Sequence, residues 1–132
     1  MKLSYQLLFV DDDAFIQMVL RTILKDHYRI KACSNGIEAL TWLEEGNETD
    51  VIITDLEMPQ LNGYELIRQI RASSLFNRIP IIVLSTHENS LTRIQCLEMG
   101  ADDFVVKPFN PLEVKAKIDG ILRRRNASGI AS

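Results

Sequence analysis

Short apolar runs rich in β-favouring residues alternate along the chain with segments whose apolar residues recur at helical spacing. The runs predict strands over residues 6–10, 28–32, 51–54, 81–84 and 103–106. Helices are expected to begin near Ala14, Gly36, Gly63, Leu91 and Pro111. In the first, Phe15, Val19, Ile23 and Leu24 form the expected inward stripe, with Asp13 placed to cap the N-terminus. Leu66, Ile67 and Ile70 form the stripe of the third, and Gly63 eases the entry of the chain. Leu112, Val114, Ile118, Ile121 and Leu122 form that of the last, where Pro111 suits a first helical turn. The third and fourth strands (VIIT and IIVL) are almost wholly apolar, as strands covered on both faces should be. Parallel strands need crossover connections, so strict alternation implies an α/β fold: a doubly wound five-stranded parallel sheet with five helices.

The polar residues that interrupt this pattern fall at one kind of place. Asp11 and Asp12 follow the first strand, Asp55 the third, Ser85 the fourth and Lys107 the fifth. Open α/β sheets bind ligands beyond the carboxyl ends of their strands, near the point where strand order reverses. With strands in the order 2-1-3-4-5, the three aspartates converge there, flanked by Ser85 and Lys107. Two carboxylates about 4 Å apart repel by roughly 4 kcal/mol at an effective dielectric near 20. Three of them require proton uptake or a cation. Lys107 supplies one positive charge, and a small divalent ion would supply the rest. Mg²⁺ suits carboxylate oxygens and completes its shell with water and phosphate, whereas zinc would want the His or Cys that this cluster lacks. A carboxylate in such a site can act as nucleophile toward a phosphoryl group. Asp55, alone on the central strand, is the candidate nucleophile, and the adjacent Asp11 and Asp12 are candidate metal ligands. Lys107 and Ser85 suit the oxygens of the transferred group.

Composition and charge narrow the choice. With 132 residues there is room for one hydrophobic core. A net charge of -3 gives no support to a nucleic-acid binder, and Arg123, Arg124 and Arg125 read as cations closing a helix. Cys33 and Cys96 are too few for a disulfide framework or a zinc site and are expected to be buried. His27 and His87 are expected at the surface, and Trp42 in packing. No stretch reads as a signal peptide or membrane span, so no membrane partner and a cytoplasmic location are expected. Residues 1–125 are expected to form the domain, and residues 126–132 a tail or the start of a linker.

At these residues the sequence resembles the response-regulator receiver domain of two-component signalling. The resemblance rests on FVDDD at residues 9–13, ITDLEMPQLNG at 53–63, VLST at 83–86 and GADDFVVKPF at 100–109, and covers the chain to about Arg125. It implies the flavodoxin-like strand order 2-1-3-4-5, with Asp55 as phospho-acceptor. Asp11 and Asp12 would hold Mg²⁺, with Asp55 and the backbone carbonyl of Glu57 completing the protein ligands. Ser85 and Phe104 occupy the family's switch positions and Lys107 its lysine position. The Lys107–Pro108 peptide would be cis. The donor would be a phosphohistidine on a sensor histidine kinase or phosphotransfer protein. The product would be a changed surface on the fourth helix, fifth strand and fifth helix, with no enzymatic activity beyond self-phosphorylation and slow autodephosphorylation.

The stretches ADDF, KPFNP and LRRR also look like receivers that precede winged-helix DNA-binding domains. By that analogy a homodimer forms on phosphorylation, with Arg93–Glu113 and Asp103–Lys117 as ion pairs between subunits, and the domain itself does not touch nucleic acid. Glu57 and His87, two residues beyond Asp55 and Ser85, overlook the path of attacking water; a bulky anionic Glu57 is expected to lengthen the phosphorylated lifetime. Two rivals stand beside this reading. A small aspartate-nucleophile phosphatase would use Glu57 as its second acid, and turnover of external phosphate esters would reveal it. A flavodoxin-like cofactor binder would need a phosphate cradle after the first strand, where three aspartates repel phosphate. Residue by residue, an Asp run can be a mere helix cap, and a lone strand aromatic such as Phe104 can be plain core.

Overall fold

The computed structural model describes residues 4–86 and 89–131. Its elements run β1 (Tyr5–Val10), α1 (Ala14–Leu24), β2 (Tyr28–Cys33), α2 (Gly36–Glu44), β3 (Val51–Asp55) and α3 (Gly63–Ala72), then β4 (Ile81–Ser85), α4 (Ser90–Met99), β5 (Asp103–Val106) and α5 (Pro111–Ala131). All pairings are parallel, in the order β2-β1-β3-β4-β5. Successive side chains of a strand point to opposite faces, so each strand feeds two apolar layers. Leu8, Val10, Ile52, Ile81 and Val83 pack under α2, α3 and α4, against Leu43, Leu66, Ile70 and Cys96. Leu7, Phe9, Ile53, Ile82 and Leu84 pack under α1 and α5, against Leu20, Leu24, Val114 and Ile118.

Each of the first four helices starts on an Asp or Asn whose side chain accepts a backbone N–H of the first turn: Asp13, Asn35, Asn62 and Asn89. β1 lies between β2 and β3, so the chain leaves it on one side and returns on the other. The reversal point lies at the carboxyl ends of β1 and β3. Val10 pairs with Thr54, which sets Asp11 and Asp55 side by side just past the paired rows. Ser85 pairs with Val106, and the Lys107 N–H donates to the Ser85 carbonyl at 2.7 Å.

Sequence patterning found every element, and the structure corrects it in four places. The buried stripe of α1 is Leu20 and Leu24, with Ile16 and Ile23 packed beside them, while Phe15 is 64% exposed. At 3.6 residues per turn, Phe15 sits roughly 140° from Leu20, off the inward face. Leu112 is likewise exposed, two residues before Val114 and so on the far side of α5. Strands β2, β3 and β4 each run one residue further than expected, into Cys33, Asp55 and Ser85. Finally, α5 continues to Ala131 and takes in residues 126–131, which read as a tail in sequence. That segment has no proline to stop a helix and no apolar period to announce one. Arg123, Arg124 and Arg125 therefore do not close the helix. Arg125 instead donates to the Asp50 carbonyl at 3.1 Å, and the Asn126 amide bonds the Tyr5 hydroxyl.

Candidate functional site

Asp11 is fully buried where β1 ends, and every polar atom the fold gives it is engaged. Its N–H donates to the Cys33 carbonyl at 3.0 Å, extending the β1–β2 ladder by one rung. Its Oδ1 accepts the Asp13 N–H at 2.9 Å, and its Oδ2 accepts the Lys107 ammonium at 2.8 Å. Asp13 in turn caps α1, which accounts for the third aspartate of the run as a cap. Asp12 stands exposed between these two fixed neighbours. Asp55 ends β3, its Oδ1 accepting the Leu56 N–H at 2.8 Å and its Oδ2 lying 3.4 Å from Lys107 Nζ. One carboxylate oxygen from each of Asp11, Asp12 and Asp55 falls within 4.8 Å of the others. Ser85 is buried at the end of β4, level with the start of the Lys107 connection.

The charges explain why this cluster needs a cation. Burial raises the Asp55 carboxyl above its ordinary range; the Lys107 charge opposes the shift and the Asp11 charge adds to it. Burial alone would lower the Lys107 ammonium, but hydrogen bonds and charges from Asp11 and then Asp55 outweigh it and raise that group. One lysine is thus shared between two carboxylates, with a third beside them. Three hard oxygen donors converging on one space, with no nitrogen or sulfur among them, fit a small divalent cation such as Mg²⁺.

The loop after Asp55 is shaped by close approach. Gln60 and Leu61 both take positive φ, at 51° and 74°. The Leu61 carbonyl accepts the Gly36 N–H at 3.2 Å, and Asn35 Nδ2 donates to Gln60 Oε1 at 3.3 Å, so the turn after β2 braces the loop. Thr54 is fully buried, and its hydroxyl donates to the Asp55 carbonyl at 2.8 Å. Glu57 lies exposed on this loop. The Lys107–Pro108 peptide is cis.

All five residues singled out at strand ends therefore meet at one rim. Phe104 is buried in the layer beneath α4, with the Arg93 guanidinium 5.5 Å from its ring centroid. Cys33 and Cys96 are both free and buried; burial pushes the Cys33 thiol up to about 11, with Lys31 opposing and Glu38 adding. His27 is exposed and Trp42 half-buried against the core, while His87 lies outside the described residues. Lys117 Nζ bonds Asp103 Oδ1 at 3.0 Å within the chain, because α5 lies alongside the start of β5. Sequence reasoning missed Gln17, whose amide nitrogen donates to the Asp11 carbonyl at 2.6 Å, and Gly36. Nothing in one sequence distinguishes Gln17 from any polar helix residue. The lone hydroxyl of Thr54 in an apolar strand was a visible signal.

The model of the response regulator receiver domain matches residues 7–119. The chain belongs to the response-regulator receiver family. A protein of Cyanidium caldarium named "Probable transcriptional regulator ycf27" is 43% identical to this receiver over 130 residues, covering 96% of this chain and 51% of that protein. The chain thus spans about half the length of the first such regulators it matches. A chemotaxis protein CheY homolog of Campylobacter jejuni is 31% identical, over 96% of this chain and 98% of its own length. The receiver domain of a sensor histidine kinase of Pseudomonas aeruginosa superposes with a TM-score of 0.81 at 31% identity, covering 90% of this chain and 98% of that one; its structure carries a magnesium ion in the active-site cleft. Membership of the receiver family does not favour the phosphatase reading.

Proposed function

We propose that this receiver is a phosphorylation-controlled signalling switch that accepts a phosphoryl group on Asp55. The reading is supported above all by the three carboxylates of Asp11, Asp12 and Asp55 gathered within 4.8 Å around the Lys107 ammonium. Mg²⁺ is held by Asp11, Asp12, Asp55 and the Glu57 backbone carbonyl, and when bound it neutralises charge on the phosphoryl oxygens. The donor is a phosphohistidine of a sensor histidine kinase or phosphotransfer protein. An Asp55 oxygen bonds to phosphorus as the phosphorus–nitrogen bond breaks, and the histidine nitrogen leaves with the bonding pair, giving an acyl phosphate. Lys107 binds one oxygen of the transferred group and the Ser85 hydroxyl another.

Ser85 and Phe104 transmit the change to α4, β5 and α5. Leu91, Ile94, Leu97 and Leu112 stand exposed on these helices, apolar surface suited to a partner or to a second phosphorylated copy. The domain acts through this surface and not by turning over substrates. Among the described residues no helix is long and apolar enough to cross a membrane; the site of action proposed for this switch is the cytoplasm.

Intact-mass measurement after incubation with acetyl phosphate and Mg²⁺ tests the reading. Wild type is expected to gain one phosphoryl group, and Asp55→Asn none. EDTA is expected to abolish the gain, and a gain that survives Asp55→Asn would remove Asp55 from its role. Glu57→Asn is expected to shorten the phosphorylated lifetime, by admitting water that the exposed carboxylate hinders; an unchanged decay rate would sink that part.

A further inference from the structure

The Asp11–Asp12 pair departs from the sheet where β1 and β2 stop pairing, and one helical side chain occupies that point. Gln17, half-buried in α1, donates from Nε2 to the Asp11 carbonyl at 2.6 Å and to the Cys33 carbonyl at 3.1 Å. Both partners are carbonyls, so only the amide nitrogen can face them, and both of its hydrogens are used. The same Cys33 carbonyl accepts the Asp11 N–H. Asp11 is thus pinned at both ends of its backbone: its N–H by Cys33 and its C=O by Gln17. The Asp11 C=O belongs to the peptide from which Asp12 departs. Fixing that peptide therefore aims two carboxylates at once, Asp11 toward Lys107 and Asp12 into the cluster it shares with Asp55.

The pin sits on a rigid support, since Leu20 and Leu24 of the same helix are buried in the core. It also reaches the other side of the site. Gly36, three residues beyond Cys33, holds the Leu61 carbonyl of the loop that follows Asp55, so one turn relates both halves of the acidic cluster.

We infer that Gln17 is a positioning residue of the phosphorylation site, holding the Asp11–Asp12 peptide in the geometry that takes up Mg²⁺; this rests on the magnesium reading above. It touches neither the ion nor the phosphoryl group, and it acts through the backbone of the residues that do. Groups that orient metal ligands typically change metal affinity ten- to a hundredfold when removed.

The test uses the full chain, with Mg²⁺ alone titrated calorimetrically into wild type, Gln17→Met and Gln17→Glu. Gln17→Met keeps length and packing but no donor. It is expected to weaken Mg²⁺ binding roughly tenfold or more. In acetyl phosphate labelling it is expected to raise the Mg²⁺ concentration for half-maximal rate, with the rate at saturating Mg²⁺ near that of wild type. Gln17→Glu separates positioning from simple charge. An added carboxylate near a cation would tighten binding by electrostatics, whereas a carboxylate facing two carbonyls repels both, and the expected result is weaker binding. Wild-type affinity in a folded Gln17→Met, or tighter binding in Gln17→Glu, overturns the proposal alone. Should Gln17→Met fail to fold, the direction of the change in Gln17→Glu decides. No uptake by wild type overturns the magnesium reading and this inference with it.

Discussion

Gly63 and Asp55 approach so closely that a β-carbon on Gly63 would lie 2.2 Å from the Asp55 carbonyl oxygen and 2.7 Å from the Leu56 α-carbon. What stands in the way is backbone, which cannot swing aside as a side chain can. The Gly63 N–H also donates to the Leu56 carbonyl at 2.9 Å, closing the loop that carries Glu57. The first residue of α3 therefore sets how tightly the chain folds back on the Asp55 end of β3.

Gly63→Ala is accordingly expected to displace the Asp55 end of β3 or unwind the first turn of α3. The expected loss is about 2 kcal/mol of stability, with weaker Mg²⁺ binding beside it. Gly120→Ala is the matched control. The nearest atom to its β-carbon would be the end of Arg124 at 3.5 Å, and alanine is the better helix former. Urea unfolding should show the first variant destabilised and the second neutral or more stable.

Lys107 is the only cation bonded to the fully buried Asp11 among the described residues, and Lys107→Met leaves that carboxylate without its counter-charge. The expected loss near neutral pH is about 3 kcal/mol. The Lys107 pKa is raised in the folded protein, so its stabilising contribution is complete below the unfolded value near 10.4 and is lost as pH rises through the folded value. The difference between wild type and Lys107→Met, read by urea unfolding, should therefore shrink at strongly alkaline pH. A constant difference would remove the ion pair as its cause.

The fold and the site were legible to different depths, for physical reasons. Apolar strands and amphipathic helices announce themselves because periodicity reflects burial on known faces, so each element of the fold was readable. Phe15 misled because one residue of phase moves a side chain by a large part of a helical turn. The site was readable where charge at a strand end contradicts stability, as at Asp11, Asp55 and Lys107. Gln17 and Gly36 were not, since their importance lies in which carbonyl they meet, and that depends on two strands ending together. Residues 126–131 were missed because a helix without an apolar stripe leaves no period to detect.

Asp55 gives a pH dependence of the same sense, at acid rather than alkaline pH. Its folded pKa is raised, first by burial, so the native state holds that proton more tightly than the unfolded chain does. Without metal, the contribution of Asp55 is most favourable below the unfolded value near 3.9 and is lost as pH rises through the raised folded value. Asp55→Asn cannot ionise, so in EDTA it is expected to be more stable than wild type at pH 7, with the gap closing toward pH 4. Saturating Mg²⁺ is expected to narrow the gap at pH 7 by stabilising the ionised wild type. Thermal unfolding of both proteins across pH checks this, and a metal-free wild type more stable than Asp55→Asn at pH 7 would contradict it.

At the other end of the sheet, Arg71 joins three segments through one guanidinium. Nε and Nη2 donate to the Gly100 carbonyl at 2.9 and 2.7 Å, and Nη1 donates to the Asn77 and Ile79 carbonyls at 3.2 and 2.7 Å. Nη2 also reaches Asp102 Oδ2 at 3.0 Å, and that oxygen accepts the Ile81 N–H at the start of β4. Five donor contacts match the five N–H groups of arginine, while lysine offers three from a single point. Gly100, at φ 113°, caps α4 with its N–H directed back into the helix, and a β-carbon there would meet the Arg71 stem at 2.9 Å. Arg71→Lys is therefore expected to lose nearly as much stability as Arg71→Ala, about 2 to 3 kcal/mol, because carbonyls lose their partners in either case. Ile81 begins β4 and Ser85 ends it, so the damage falls at the opposite rim from the acidic cluster of Asp11, Asp12 and Asp55. Urea unfolding should show both losses, while acetyl phosphate labelling below the unfolding transition stays near wild type; a Lys variant as stable as wild type would show that charge alone suffices.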